Sequence, residues 1–557
     1  MTATGGYHSA GIGGSDKQDG QATITGGEIT ATGGNGAAGI GGGAGDTDAV
    51  GGDGDVTISG GTITATGGSL GAGIGGGAYG NGTVTVTDGD ITAKATDNYG
   101  AGIGGGFGAI PKDTLIGGNG TVTISGGTIT EASGGYMAAG IGSGYQGLGT
   151  VTIEGDAVIK NAQGGEAGAG IGSGTYGDSN ILIRGNAVIE NAESSANGAG
   201  IGSGQGDLYL DGDGMVIDPT VGNVTIEGNA KIENAKSGYG GSGIGGGAIG
   251  IGNVIIRGNA QIGNATGGEE GAGIGGGALG TGDVTIEGNV TIENAQGGAG
   301  AAGIGGGAET EPDTEDTRNK ISIKSTEAGS PNITAAGGGV LNNEDAPLAG
   351  AAAIGSGSVA DGATEVKSDI TVEGKVTIDA TGGGDVAIGD SINGETQFSG
   401  LQVGTTITRR NAKGDDVSQP GDVVREQAPT ETEAAEAPST GSVEVERPVT
   451  VEGLYVTNVL GKQITHTCTQ NGTTLTIRAN GIVASAHLTL GMVRTLKAQG
   501  VKTLVFTTLL SRSTTVSVDA LLAADPDAPD ETPVVWTHTG VRTALTIGGA
   551  DHSALLK

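Results

Sequence analysis

The sequence predicts an all-β chain: a parallel β-helix with about 30 residues and three short strands per coil, followed by a small α+β domain. Three observations carry this. A segment typified by Gly71-Ala72-Gly73-Ile74-Gly75-Gly76-Gly77 recurs along three quarters of the chain, centred on Ile12, Ile40, Ile74, Ile103, Ile141, Ile171, Ile201, Ile244, Ile274 and Ile304, with weaker echoes at Ile354 and Ile388. Successive centres lie 28, 34, 29, 38, 30, 30, 43, 30, 30, 50 and 34 residues apart, so the unit is 30 with insertions. A fixed period of this size marks a solenoid, whose units bury their apolar faces only against their neighbours. Finally, Gly is 123 of 557 residues and aromatics are 2%, which suits a narrow core of small and β-branched side chains.

Each early unit reads Val56-Thr57-Ile58-Ser59, then Gly60-Gly61, then Thr62-Ile63-Thr64-Ala65, then Thr66-Gly67-Gly68 and the marker segment. Alternation turns Val56, Ile58 and Ile63 inward and Thr57 and Ser59 outward, as in half-buried strands. The glycine pairs are corners, where a missing Cβ permits positive φ and close backbone approach. From Val151 the unit becomes Val-Thr-Ile-Glu-Gly-Asp-Ala-Val-Ile-Lys-Asn161-Ala162. Strict alternation from Ile159 then predicts that Asn161, Asn191, Asn234, Asn264 and Asn294 point inward and form a buried amide ladder. Glu154, Arg184, Glu227, Arg257 and Glu287 form a second column, alternating in sign. If one unit is one coil, each charge neighbours its opposite.

After Ile304 the repeats degrade, as terminal units of solenoids usually do. Residues 1–415 read as the β-helix and 416–448 as an acidic, Pro-containing linker with no apolar period. Residues 449–557 have ordinary composition, with a helix expected over Leu490–Gln499, stopped by Gly500. The chain opens with Met1-Thr-Ala-Thr-Gly-Gly, which matches Ile63–Gly68, so it reads as cut within a coil, with its export signal missing.

The net charge of −35 argues against nucleic acid and anionic membrane surfaces as partners, since both require clustered Lys and Arg. No apolar run is long enough to cross a membrane as a helix. Cys468 is the only cysteine, so no intrachain disulfide forms. His466, His487, His538 and His552 show no metal-ligand spacing.

Two groups of residues are candidate sites. Tyr79, Phe107, Tyr145 and Tyr176 follow successive markers by four or five residues. They read as corner packing, because Ile249 and Leu279 fill the same slot later; the sharper alternative is a stacking platform for sugar rings. Asp207, Asp211, Asp213 and Asp218 lie in the insertion after Gly206. They could hold Ca²⁺ through carboxylate and carbonyl oxygens, but the spacing misses the twelve-residue loop and its closing Glu, and a solvated acidic loop is the preferred reading. No cofactor is otherwise expected. Glycoside hydrolysis needs paired carboxylates, and the outward positions between Val56 and Ile304 supply mostly Thr, Ser, Gly and isolated charges. No catalytic residue is assigned.

The Gly-Ala-Gly-Ile-Gly-Gly-Gly segments with Val-Thr-Ile-x-Gly-Gly/Asn resemble the Gly-rich parallel β-helix arrays of large bacterial surface and adhesin-like proteins, over residues 1 to 415. The resemblance implies export, extracellular or cell-surface location, and a stalk or adhesive role, with glycans or host-surface components as partners and cell-wall association through missing or C-terminal parts. The alternative is a carbohydrate-binding or carbohydrate-active β-helix, of the lyase or glycosidase kind.

Overall fold

The structure is a computed structural model; it describes the chain except residues 46–50, 97–98, 109–117, 212–213, 309–317, 341–349, 359–366, 392–393, 399, 426–446, 450, 452, 459–461, 480–483, 509–512, 527, 539–542 and 557. Two compact units divide it, Met1–Ala428 and Pro429–Lys557. Among the described residues no helix is long and apolar enough to cross a membrane.

The first unit is a parallel β-helix in which one repeat makes one coil. Marker follows marker in register, from Ile12↔Ile40 to Ile354↔Ile388, and even the 50-residue gap keeps Ile304 beside Ile354. Most coils carry three strands. In Gly54–Thr66 and Gly82–Lys94 the first two run together through the glycine bend, so both sides belong to one 23-stranded sheet. The short Ile–Gly strands form a second sheet, which Gly394–Glu395 extends by one antiparallel strand to 13. Inside, the Val-x-Ile pairs, the Ile-x-x-Ala or Ile-x-Ala pairs and the marker isoleucines stack into one continuous core.

The marker glycines explain why this side is so narrow. From Gly13 to Gly389 each has φ between 129° and 148°, a region an L side chain rarely adopts. A Cβ on Gly275 would also lie closer than 3.0 Å to the carbonyl oxygen of Gly305 on the next coil. Glycine is required here twice over.

The charge column confirms the coil length. Arg257 and Glu287 are direct Cα partners, Arg184 Nε donates to Glu154 at 2.7 Å, and Arg257 Nε donates to Glu227 at 2.8 Å. The alternation continues beyond the readable repeats: Glu287 pairs in register with Lys324, and Lys324 with Glu373.

The asparagine column is a correction. Asn191, Asn234 and Asn264 are exposed, and Asn161 and Asn294 half-buried. Two residues, Lys160 and Asn161, face outward between buried Ile159 and Ala162, and the same irregularity shifts register between Ile129 and Glu131. This bulge flips parity, so alanine rather than asparagine points in. The ladder itself exists: Asn234 Nδ2 donates to Asn191 Oδ1 at 3.1 Å and Asn264 Nδ2 to Asn234 Oδ1 at 3.0 Å. A second ladder, Asp156-Asn186-Asn229-Asn259-Asn289, runs at the neighbouring bend.

The inward alanine column ends at Ala380, and its partner on the last coil is Arg409. Arg409 is fully buried. It donates to Glu395 and Asp422, each at 2.8 Å, and to the Thr396 carbonyl at 2.7 Å, with its guanidinium 5.1 Å from the Phe398 ring centre. Glu395 in turn accepts from the backbone N–H groups of Ala387 and Ile388. Residues 416–425, read from sequence as linker, therefore fold back in part onto the solenoid end, where Asp422 is 3% exposed. The rest of that stretch, 426–446, lies outside the described residues.

Among its described residues the second unit is α+β, with a five-stranded and a six-stranded sheet and two α-helices, α1 (Leu490–Ala498) and α2 (Val518–Ala524). Strand Ala484–Thr489, α1 and strand Thr503–Thr507 repeat the pattern of strand Ser513–Ser517, α2 and strand Pro533–His538. Across the pair, Ala484 faces His538 and Thr503 faces Ser517, both antiparallel. Thr489 and Ser517 cap the helices through their hydroxyls. Cys468 is buried here, and burial pushes its thiol up to about 11, which makes it unreactive at neutral pH.

Replacing Gly275 by Ala should destabilise the solenoid by about 2–6 kcal/mol, combining backbone strain with overpacking. Gly26→Ala, where nothing lies within 4 Å, should change it by less than about 0.5 kcal/mol. Denaturant unfolding followed by circular dichroism compares them, and equal midpoints would refute the account of the rung contact.

Arg409→Ala strands two buried carboxylates and should cost about 3–5 kcal/mol locally. Amides of Thr406–Arg410 should exchange faster with solvent while those near Ile274 do not. Unchanged exchange at the last coil would show that the buried ion cluster does not hold the end.

Candidate functional site

Among the described residues the corner after an Ile–Gly strand takes a left-handed residue at six coils, whatever its side chain. Lys17, Tyr79, Gln146, Tyr176, Ile249 and Leu279 all have φ near 60°. Each donates its N–H to the next coil, as in Tyr79 to Phe107 at 2.7 Å and Tyr176 to Gln205 at 2.8 Å. The strained conformation thus comes from corner geometry and not from a ligand role.

On this corner the sequence-predicted aromatics do come together. Tyr79 packs against Phe107 with centroids 5.1 Å apart, Phe107 stacks on Tyr145 at 5.6 Å and 13°, and Tyr145 meets Tyr176 at 5.7 Å. Tyr99 packs against both Phe107 and Tyr145. The stacked faces of Phe107 and Tyr145 thus cover one another, as corner packing requires. Tyr176, at the end of the row, is 37% exposed.

Next to Tyr176 the acidic insertion folds as an antiparallel hairpin, Asp207–Asp211 with Gly214–Asp218, placing Asp207 opposite Asp218. Asp213 lies outside the described residues, and of Asp211 only the backbone is described. Asp207 and Asp211 stand four residues apart on one strand, roughly 13 Å, too far to share one ion. Among the described residues no three His, Cys, Asp or Glu groups gather as a metal site.

What the hairpin does instead is wall a cavity of about 410 Å³ lined by Tyr176, Asp178, Asp207, Asp218, Gln146 and Leu148, among others. Its ligand-facing chemistry is one phenol ring, three carboxylates and an amide beside apolar patches. Burial, with Asp207 as charge and hydrogen-bond partner, raises the Tyr176 pKa above its usual 10.0. Tyr145 is raised too, by burial first and then by Tyr176, Tyr99 and Asp207. Sequence reasoning named Tyr176, Asp207 and Asp218 but assigned them to two separate sites, and it missed Asp178, Gln146 and Leu148. The one available signal was the 43-residue spacing between Ile201 and Ile244, which locates an insertion but not the wall it builds.

A second, shallower groove of about 350 Å³ follows the charge column through Arg184, Glu227, Arg257 and Glu287. Its charges are occupied, Arg184 by Glu154, Arg257 by Glu227 and Glu287 by Lys324.

The model of a β-helix repeat family matches residues 23–44, 56–78 and 122–145, three segments that each run from an outer strand to its marker. No curated protein and no solved structure matches the chain. Together with the in-register parallel stack, the match defines the class. The chain is a parallel β-helix repeat protein.

Asp207→Asn should lower the Tyr176 pKa towards the ordinary tyrosine value, since it removes a negative charge that disfavours tyrosinate. Burial remains, so the fall should be partial. Titration of ring-labelled tyrosines by NMR reads this directly, and an unmoved Tyr176 would mean that Asp207 does not face its hydroxyl.

Proposed function

We propose that this is a non-enzymatic, secreted or surface-displayed bacterial protein, a rigid β-helical stalk or adhesin carrying a C-terminal module, which meets glycans or host-surface components. The observation that supports it is the self-neutralising outward charge column. Glu154, Glu227 and Glu287 are each ion-paired to a basic residue one coil away. An acid held this way is not poised to protonate a leaving group, which glycosidases require, and the stack gains stiffness from each pair. Twelve marker rungs at roughly 4.8 Å spacing give the first unit a stacked length of roughly 50 Å.

Antibodies to the full chain should label intact cells of the organism that makes it. Labelling only after lysis would overturn the surface assignment. Incubation with acidic polysaccharides should release neither reducing ends nor unsaturated products, and release of either would make the chain an enzyme.

A further inference from the structure

We infer that the cavity beside Tyr176 binds a protonated amine carried on a compact carbon skeleton, as in an amino sugar or a lysine side chain.

The charge balance of the cavity differs from that of the solenoid around it. In the outward charge column each acid has a basic neighbour one coil away, whereas Asp178, Asp207 and Asp218 line one cavity with no lysine or arginine among its lining residues. Among the described residues none of the three has an ion-pair partner. Asp178 accepts the Val221 N–H and Asp207 the Leu208 N–H, both through Oδ1. Asp207 also meets the Tyr176 hydroxyl, Asp178 keeps a second oxygen with acceptor capacity, and Asp218 adds a third group. Three carboxylates lining one partly enclosed volume favour a positive guest.

The walls then select the kind of cation. A small, hard ion needs six to eight oxygens at short distance, and the described acids do not converge for one. A volume of about 410 Å³ is of the size that small organic molecules occupy. One wall is the Tyr176 ring, which has a single aromatic neighbour, Tyr145, and is 37% exposed, and another is Leu148, 40% exposed. An aromatic face attracts an ammonium group through its quadrupole, and an apolar wall covers the carbon skeleton. Carboxylates, an aromatic ring and an aliphatic patch in one cavity are thus complementary to an amine on carbon.

The cavity stands where two features of the solenoid meet. The aromatic row reaches Tyr176, and the hairpin that supplies Asp207 and Asp218 stands beside it. Ile249 and Leu279 bring later corners an aliphatic residue in place of a ring.

The test is calorimetric titration of the full chain at low ionic strength with glucosamine, N-acetylglucosamine, glucose, Nα-acetyl-lysine methylamide and Ca²⁺. Glucosamine or the lysine derivative should bind at least about tenfold more tightly than the uncharged sugars, and the stronger of the two identifies the source. Salt should weaken that binding. Asp207→Asn and Tyr176→Ala should each reduce it by about tenfold or more, whereas Tyr79→Ala, at the far end of the ring row, should not. Because the ligand series is run on the unaltered protein, a variant that fails to fold does not decide the matter. Equal binding of glucose and glucosamine would overturn the proposal in favour of a neutral-sugar site. Binding of Ca²⁺ without either amine would make the cavity an inorganic cation site. No binding of any probe would remove it as a site.

Discussion

Everything in the solenoid depends on the contact between one Ile–Gly strand and the next. The glycine has a φ that side chains avoid, and its missing Cβ leaves no more than the room the neighbouring carbonyl needs. That contact fixes the spacing and registry of all coils, because a shift of one residue would put isoleucine where only glycine fits. It also limits the core. With one side so close, the interior can hold one isoleucine, one Val-x-Ile pair and an Ile–Ala pair per coil, and no ring. Tyr79, Tyr99, Phe107, Tyr145 and Tyr176 are thereby excluded to the corner, where they pack on one another, and Phe398 meets the core only at the capped end. The aromatic poverty of the chain follows from the same constraint.

That constraint is also why so much was legible. A motif that must recur at the point of closest packing can be read without knowing the fold, and its period gives the coil length. The charge column was readable for a related reason: alternation in sign has no cause unless successive repeats touch. The asparagines were misread because period-two reasoning assumes an unbroken strand. Lys160 and Asn161 both face out, and no residue there announces the bulge. Neither is glycine or proline. Register moves at this point because a small alanine fits the interior at position 162 and the amides bond to each other as well outside as in. The hydrogen-bonding part of the inference depended only on stacking and survived; the burial part depended on parity and did not.

The end of the solenoid was hidden for the opposite reason. A cap occurs once, so periodicity cannot reveal it. Arg409 occupies an alanine column, and nothing local in Thr406–Arg410 distinguishes a buried arginine from an exposed one. Its partners come from Glu395 and from Asp422, the latter within a stretch whose composition reads as linker. Buried ion pairs of this kind add little net stability compared with apolar packing. They do cover an open end with groups that would be costly to rearrange, and that makes the last coil a stop where another would otherwise stack.

Repetition and specificity stand in tension along this chain. Each feature that repeats is satisfied by its own copies: amides bond to amides, acids pair with bases, rings pack on rings. A stacked surface of this kind has little left over for a partner. Exposed binding chemistry gathers where the repeat is broken, and among the described residues of the solenoid the hairpin of Asp207–Asp211 with Gly214–Asp218 is a break that adds both a wall and carboxylates outside any ion pair. It comes where the ring row ends at Tyr176, so the ring at the end of the row keeps exposed surface that interior rings lose to neighbours. Recognition on a self-complementary scaffold is therefore to be sought at its interruptions, and this insertion is where periodic stability and local binding chemistry meet.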